Sequence, residues 1–105
     1  MQRGDVYRFK IPKGLGHEQQ GVRYGVVLQA DEFLPRSVVL VAPTSTSARP
    51  ASFRPAVEVN SESTRVLAEQ LGAVDVQRLG KHVGRLSVEH LWSVDEALTT
   101  ILGLD

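Results

Sequence analysis

Short apolar segments separated by polar ones dominate most of this 105-residue chain. From Val6 to Ile11, Tyr7, Phe9 and Ile11 fall on one side and the intervening residues on the other, which predicts a half-buried strand. Valine-rich runs at 24–28 and 38–42 predict two buried strands. Further strands are predicted at 56–60, at 66–74 and at 82–86, the last a short edge strand in which Gly84 permits a bulge or a close backbone approach.

Two polar segments interrupt the predicted strands. Residues 12–21 contain three glycines and no β-branched residue, which predicts a loop. Residues 43–55 contain three prolines and five hydroxyl residues, so we predict a loop that cannot continue a central strand. The segment 31–36 is predicted to be a turn or a short helical piece.

The hydrophobic period changes near the C-terminal end. Apolar residues there recur at three and four positions and predict one face of a helix: Leu91, Val94, Leu98 and Ile101. Ser87 is the expected N-cap, Glu89 suits the first turn, and Gly103 is expected to end the helix. Five or six short strands and one closing helix predict a mainly β (α+β) fold, a strongly bent antiparallel sheet covered on one side.

Length and composition narrow the class of protein. A chain of 105 residues can bury one core, so we expect a single domain spanning 1–105. The sequence contains no cysteine, which excludes disulfides, thiolate zinc sites and cysteine nucleophiles. No apolar run approaches the roughly 20 residues of a membrane span, and the first residues carry charges, so we expect a cytoplasmic protein.

The net charge is zero, but the charged residues are unevenly distributed. Residues 1–55 contain eight basic and four acidic side chains, whereas residues 56–105 contain four basic and eight acidic ones. One surface could therefore attract phosphates although the whole chain is neutral. An ordinary solvated surface explains the same counts equally well.

Several common enzymatic motifs are absent from the sequence. It contains neither a GxxxxGK[ST] phosphate loop nor a GxSxG nucleophile motif, and its three histidines do not fall at metal-ligand spacing. We interpret His82 and His90 as structural or surface residues. Asp95 and Glu96 are adjacent on the predicted helix and are interpreted as solvated charges. We expect no metal and no other cofactor.

Two polar loops remain as candidates for chemistry. They contain His17, Glu18 and Gln19 before Arg23, and the hydroxyl cluster Thr44, Ser45, Thr46 and Ser47. An arginine presents a planar fork of donors that fits a phosphate, and hydroxyls can hold the remaining phosphate oxygens. RNA supplies its own nucleophile, the 2′-hydroxyl, so an enzyme has only to align it, stabilise developing charge and manage two protons. A surface ion pair and ordinary turns are the alternative interpretation.

The order of short motifs along the chain resembles that of the MazF/PemK toxins of bacterial toxin–antitoxin pairs. RGDVY at 3–7 resembles the family's RGD-[IV]-[WY] opening, and EQQGVRYGVVL at 18–28 resembles EQxGxRPxVVL. The segments VAPTS, VLAEQ, VDVQRLG, GRLS and VDEAL resemble later motifs of the family in the same order. No single motif is highly specific, whereas their collinear order over nearly the whole chain is.

This resemblance implies an SH3-like small barrel with a C-terminal helix, as in the PemK/CcdB-like toxin fold. It also implies a homodimer, neutralisation by a cognate antitoxin, and metal-independent cleavage of single-stranded RNA that leaves 2′,3′-cyclic phosphate and 5′-hydroxyl ends. By position, Arg23 would stabilise the phosphorane and assist proton transfer. Ser45 would contact the scissile phosphate, with Thr44 or Thr46 as possible additional contacts. The residues that would contact the flanking bases are His17, Glu18, Gln19, Glu69 and Gln70.

Two positions depart from the family pattern. Tyr24 replaces the proline that usually follows the arginine, and it could stack on a base or fill the core; we predict the core. Ser47 stands where glutamine is frequent. Both changes bear on sequence preference more than on activity.

Two other functions are compatible with the same fold. One is a binding module that blocks a protein target, and the other is a toxin that has lost activity and only binds an antitoxin. Arg23 with the hydroxyl cluster favours the nuclease over the binding module. The intact loop before Arg23 argues against the inactive toxin.

Overall fold

The computed structural model describes residues 1–9 and 23–104. The predicted loop at 12–21 and Ile11 of the first predicted strand lie outside the described residues. The strands are β1 (Asp5–Phe9), β2 (Arg23–Val27), β3 (Val38–Ser45), β4 (Ala56–Val59), β5 (Glu62–Val66), β6 (Gly72–Asp75) and β7 (Leu79–Arg85), followed by helix α1 (Val88–Leu102). Short 3₁₀ turns occupy Asp31–Phe33, Ala68–Gln70 and Val76–Arg78.

The strands form one antiparallel sheet in the order β4, β5, β3, β2, β1, β7, with β6 paired to β3. Strand β3 is central because it pairs with β2 along one edge and with β6 and then β5 along the other. The sheet curls into a half-barrel, and α1 packs against it. The predicted mainly β fold with a C-terminal helix is confirmed.

Buried side chains lie in two clusters on opposite faces of the sheet. The first contains Val6, Val26, Val57 and Val94 of α1, and the second contains Val27, Val39, Val41 and Val74. Tyr7 and Phe9 pack against the second cluster, which confirms their predicted common side. The prediction of one covered side was incomplete, because the curled sheet gathers apolar residues on its other face as well.

Helix α1 begins and ends where the sequence predicted. The Ser87 hydroxyl accepts a hydrogen bond from the His90 backbone N–H at 3.1 Å, and Gly103 follows the helix in the left-handed region with φ +68°. Leu91, Val94 and Leu98 face the first cluster. Ile101 was predicted on this face and is 38% exposed, since the helix's contacts with the described core end at Leu98. No helix within the described ranges combines the length and apolar character needed to cross a membrane.

Strand β3 is longer than the sequence predicted, because it continues through Pro43 to Ser45. The prediction that 43–55 is loop throughout was wrong at its start. The Pro43 carbonyl accepts a hydrogen bond from the Leu67 N–H at 2.9 Å. The Pro43 nitrogen lies on this same edge of β3. It falls between the residues that pair with β6 and those that pair with β5, so no backbone hydrogen bond requires a donor there.

The predicted extended segment 66–74 is two strands separated by a turn. Strand β5 ends at Val66, a 3₁₀ turn covers Ala68–Gln70, and β6 begins at Gly72. Buried apolar residues occur on both sides of the turn and within it, at Val66, Ala68 and Val74, so the hydrophobic pattern does not reveal the turn. The short helical piece expected at 31–36 is the 3₁₀ turn Asp31–Phe33.

Strand β7 forms the edge of the sheet beside β1, as predicted for 82–86, although it begins earlier, at Leu79. Val6 pairs with Gly84 and Tyr7 pairs with His82, so one residue of β7 is left out of the register. The predicted irregularity at Gly84 is therefore present as a bulge.

Gly25 of β2 is required by close packing. A Cβ at this position would lie 2.8 Å from Cγ1 of Val41, a short, stiff side chain that is 1% exposed. We expect Gly25→Ala to lower the free energy of unfolding by about 1–3 kcal/mol, measured by urea denaturation. Gly72→Ala is the matched control, because the nearest atom to its added Cβ is 3.9 Å away. Equal losses in the two variants would contradict this account.

Candidate functional site

The register of β2 and β3 brings Arg23 and Ser45 together. Gly25 is paired with Pro43 and Val27 with Val41, so the same register sets Arg23 opposite Ser45 at the end of the two strands. The Arg23 Nη1 donates a hydrogen bond to Ser45 Oγ at 3.0 Å. Arg23 is only 9% exposed and Ser45 only 8%, so a permanent positive charge and a hydroxyl meet where solvent access is small.

The Ser45 hydroxyl lies at the centre of a small polar network. It accepts a hydrogen bond from the Ser47 N–H at 3.3 Å, and the two hydroxyl oxygens are 3.3 Å apart. A serine hydroxyl can accept two hydrogen bonds and donate one. Because Arg23 and the Ser47 N–H both donate to it, the Ser45 O–H remains to donate, either to Ser47 or to an incoming oxygen.

The neighbouring threonines are placed differently from Ser45. Thr44 is 2% exposed, and its hydroxyl accepts from the Tyr24 N–H at 3.4 Å, whereas Thr46 is exposed in the bend after β3. Tyr24 packs against the first core cluster, which confirms its predicted core role. A proline in place of Tyr24 would lack the N–H that contacts Thr44.

The loop after Ser45 is fastened to the sheet by Arg54. Its Nε and Nη2 lie 2.8 and 2.7 Å from Glu69 Oε2, and the Arg65 guanidinium donates to the Arg54 carbonyl at 2.8 Å. Arg65 is the cross-strand partner of Ser45 on β5, so this anchor is directly beside the candidate site. Nothing local in the sequence indicates the role of Arg54, because its partner Glu69 is 15 residues away.

Glu69 and Gln70 lie on a 3₁₀ turn and not on a strand as expected. The turn is held against β3 by the hydrogen bond from Leu67 N–H to the Pro43 carbonyl. Gln70 is exposed, and Glu69 is half-buried in the ion pair with Arg54. The other predicted base contacts, His17, Glu18 and Gln19, lie outside the described residues.

The opening motif has a structural role at the far end of the sheet. Arg3 Nη2 lies 2.6 Å from Asp95 Oδ1 on α1, and Arg3 Nε donates to the Leu28 carbonyl at 2.8 Å. The interpretation of Asp95 as a solvated charge was incomplete, because its side chain is 45% exposed but also forms this ion pair. The sequence does not show the pair, because the partner is 92 residues away and only the fold brings the two together.

Asp5 joins a second group of polar side chains on β1 and β7. The nearly buried carboxylate accepts from the Gln2 N–H at 2.7 Å, and its Oδ1 lies 3.4 Å from His82 Nε2. The His82 ring meets the Tyr7 ring edge-on at 5.1 Å. Burial, and then the nearby Asp5 charge, raise the pKa of Tyr7 above its ordinary value, so its phenol stays protonated at neutral pH. These contacts agree with the structural interpretation of His82.

Acidic and histidine side chains do not converge elsewhere in the described part of the chain. Within residues 1–9 and 23–104, no three of them lie close enough together to hold a metal ion. Arg23 with Ser45 combines charge, a hydroxyl and burial at a strand end.

Comparison with known proteins adds independent information. Residues 2–102 match the family described as PemK-like, MazF-like toxin of type II toxin–antitoxin system. A Mycobacterium tuberculosis protein whose name assigns it to the toxins is 42% identical over 104 residues, covering 97% of each chain. The endoribonuclease EndoA of Bacillus subtilis is 33% identical over 113 residues, covering 99% of this chain and 96% of EndoA.

A solved structure shows the same fold. It contains an endoribonuclease from a mycobacterial species in complex with its cognate antitoxin. The superposition has a TM-score of 0.80 at 20% identity and covers 100% of this chain and 97% of the other.

Proposed function

Because the chain belongs to the PemK/MazF-like toxins of type II toxin–antitoxin systems, we propose that it is an endoribonuclease that cuts single-stranded RNA at Arg23 and Ser45. The observation that carries this proposal is the 3.0 Å hydrogen bond between these two nearly buried side chains at the ends of β2 and β3. It supplies a fixed cation and a hydroxyl donor, which are the groups that a phosphodiester in reaction requires.

The proposed reaction uses the 2′-hydroxyl of the RNA as its nucleophile. Its oxygen attacks phosphorus, the bond to the 5′-oxygen breaks, and the proton lost by the 2′-hydroxyl is matched by one gained at the 5′-oxygen. The products are a 2′,3′-cyclic phosphate and a 5′-hydroxyl. No step of this route requires a metal.

Arg23 and Ser45 take different parts in this reaction. Arg23 stabilises the negative charge that grows on the phosphorane oxygens and assists proton transfer by donating a hydrogen bond to the leaving oxygen. Its small exposure strengthens this interaction, because water screens it less. Ser45 donates its hydroxyl hydrogen to a non-bridging oxygen of the scissile phosphate, with Thr46, exposed beside it, as an additional contact. The burial of Thr44 makes it the less suitable of the two threonines.

We propose that two segments contact the flanking bases. One is His17, Glu18 and Gln19, which precede Arg23 in the sequence. The other is Glu69 and Gln70, on the turn held against β3. Single-stranded RNA is recognised by hydrogen bonds to base edges and by stacking, which amide and carboxylate groups of this kind supply in part.

The partners follow from family membership. We propose that residues 1–105 form one domain that assembles as a homodimer, acts in the cytoplasm and is neutralised by a cognate antitoxin. The solved complex of a mycobacterial endoribonuclease with its antitoxin supports the last point.

The test of this function is incubation of the purified protein with a long mixed-sequence RNA in EDTA, followed by mapping of the cut ends. We expect cuts at a recurrent sequence with cyclic phosphate and 5′-hydroxyl ends, and none in the same RNA carrying 2′-O-methyl groups. Added antitoxin should stop the cutting, and the mass of the same preparation in solution should be that of a dimer. Intact RNA after incubation would favour a binding module instead, and cutting only with added Mg²⁺ would contradict the metal-independent route.

A further inference from the structure

Phe9 and Arg78 form a cation–π pair next to Arg23. Phe9 on β1 is the cross-strand partner of Arg23 on β2. The guanidinium carbon of Arg78 lies 4.9 Å from the centre of the Phe9 ring. Arg78 ends the 3₁₀ turn that leads into β7, and Leu79, the first residue of β7, pairs with Phe9 from the other side. Both members of the pair are half-buried and so keep some contact with solvent.

The register places this pair on the same face of the sheet as the candidate site. Directly opposed residues of antiparallel strands point to one face, with Cβ atoms about 5 Å apart. Phe9, Arg23 and Ser45 therefore follow one another across three adjacent strands. Because Phe9 is the direct cross-strand neighbour of Arg23, a base next to a phosphate at Arg23 and Ser45 would lie beside the Phe9 ring and the Arg78 guanidinium in contact with it.

The chemistry of the pair suits a base better than a phosphate alone. Unpaired bases stack on aromatic rings and on the planes of arginine guanidinium groups. The Phe9 ring holds the Arg78 guanidinium by a cation–π contact. The Arg78 side chain therefore loses less conformational freedom when a base stacks on it. The charge of Arg78 additionally attracts the RNA backbone.

Building on the proposed function, we infer that Phe9 and Arg78 form a subsite that stacks one base flanking the phosphate held by Arg23. Arg78 and Phe9 then contribute to substrate binding and to the choice of base at one position. They do not take part in the bond-breaking step.

The test compares two short single-stranded probes, a mixed-sequence DNA and an abasic deoxyribose-phosphate oligomer of the same length. Neither probe has a 2′-hydroxyl, so the wild-type protein cannot cut it by the proposed reaction. Affinities for both are measured by fluorescence anisotropy with the wild type, Phe9→Leu and Arg78→Lys. Arg78→Lys keeps the charge but removes the planar group, and Arg8→Lys is the matched control, because Arg8 precedes Phe9 on β1 and points to the opposite face.

We expect Phe9→Leu and Arg78→Lys each to weaken binding of the base-bearing probe about fivefold or more, with the abasic probe unaffected and Arg8→Lys without effect on either. Unchanged affinity for the base-bearing probe, or equal weakening with both probes, would overturn the stacking subsite. The RNA-cutting assay separates this inference from the proposed function. A wild type that shows the stacking pattern and leaves RNA intact would contradict the nuclease and retain the subsite.

Discussion

Replacing Arg23 with alanine is expected to lower the rate of RNA cutting at saturating substrate by about 10²–10³-fold, the usual effect of removing one preorganised donor from a developing oxyanion. Arg23 is nearly buried and bonded to Ser45, so the charge acts where water screens it little. The measurement is single-turnover cutting of a defined RNA that contains the mapped recognition sequence, in EDTA.

Two controls make the Arg23 result specific. Arg23→Lys keeps the charge and loses the planar fork, so it should recover part of the rate but not all of it. Arg36→Ala removes an exposed arginine that contacts the Phe33 carbonyl, and it should cut like the wild type. If Arg23→Ala folds, as judged by its denaturation curve, and cuts at the wild-type rate, Arg23 is not the catalytic arginine.

Ser45→Ala is expected to slow cutting by about tenfold to a hundredfold. This range corresponds to one hydrogen bond to a charged group, about 1.5–3 kcal/mol. The same change leaves Arg23 Nη1 and the Ser47 N–H without the oxygen that they now contact, so it also loosens the end of β3. Rates are measured as for Arg23, with unfolding curves recorded in parallel.

Variants at positions 44, 45 and 46 test whether the Ser45 hydroxyl makes the phosphate contact. Ser45→Thr should retain cutting, because it keeps the hydroxyl, whereas Thr44→Val should have little effect on the rate, because the Thr44 hydroxyl already contacts the Tyr24 N–H. A larger loss in Thr46→Ala than in Ser45→Ala would transfer the phosphate contact to Thr46.

Local features of this protein were predictable where their cause is also local. The cap at Ser87, the end at Gly103 and the face formed by Leu91, Val94 and Leu98 arise from interactions within a few residues, and the sequence displays them directly. The alternation at Tyr7 and Phe9 likewise predicted a strand with the correct sides. The prediction that β3 ends before Pro43 was wrong, because the backbone N–H that proline lacks is not needed where β3 changes its partner from β6 to β5.

The candidate site was predictable in part. Arg23 and Ser45 could be selected as residue types that suit a phosphodiester, and the order of motifs implied their roles, but their hydrogen bond depends on the register of β2 against β3. The ion pair between Arg54 and Glu69 was not foreseen, and it engages Oε2 of a carboxylate that the family resemblance assigned to the bases.

The sequence by itself determined the positions of most strands and of the helix, the sides of β1 and α1, and which residues carry suitable chemistry, because these depend on propensity and on short-range spacing. Only the tertiary structure decided which distant residues meet: Arg23 with Ser45, Arg3 with Asp95, and Phe9 with Arg78. Each of these contacts depends on strand order and register or on helix packing. The burial of the whole valine-rich core sets this order, register and packing, and no single segment of the chain contains that information.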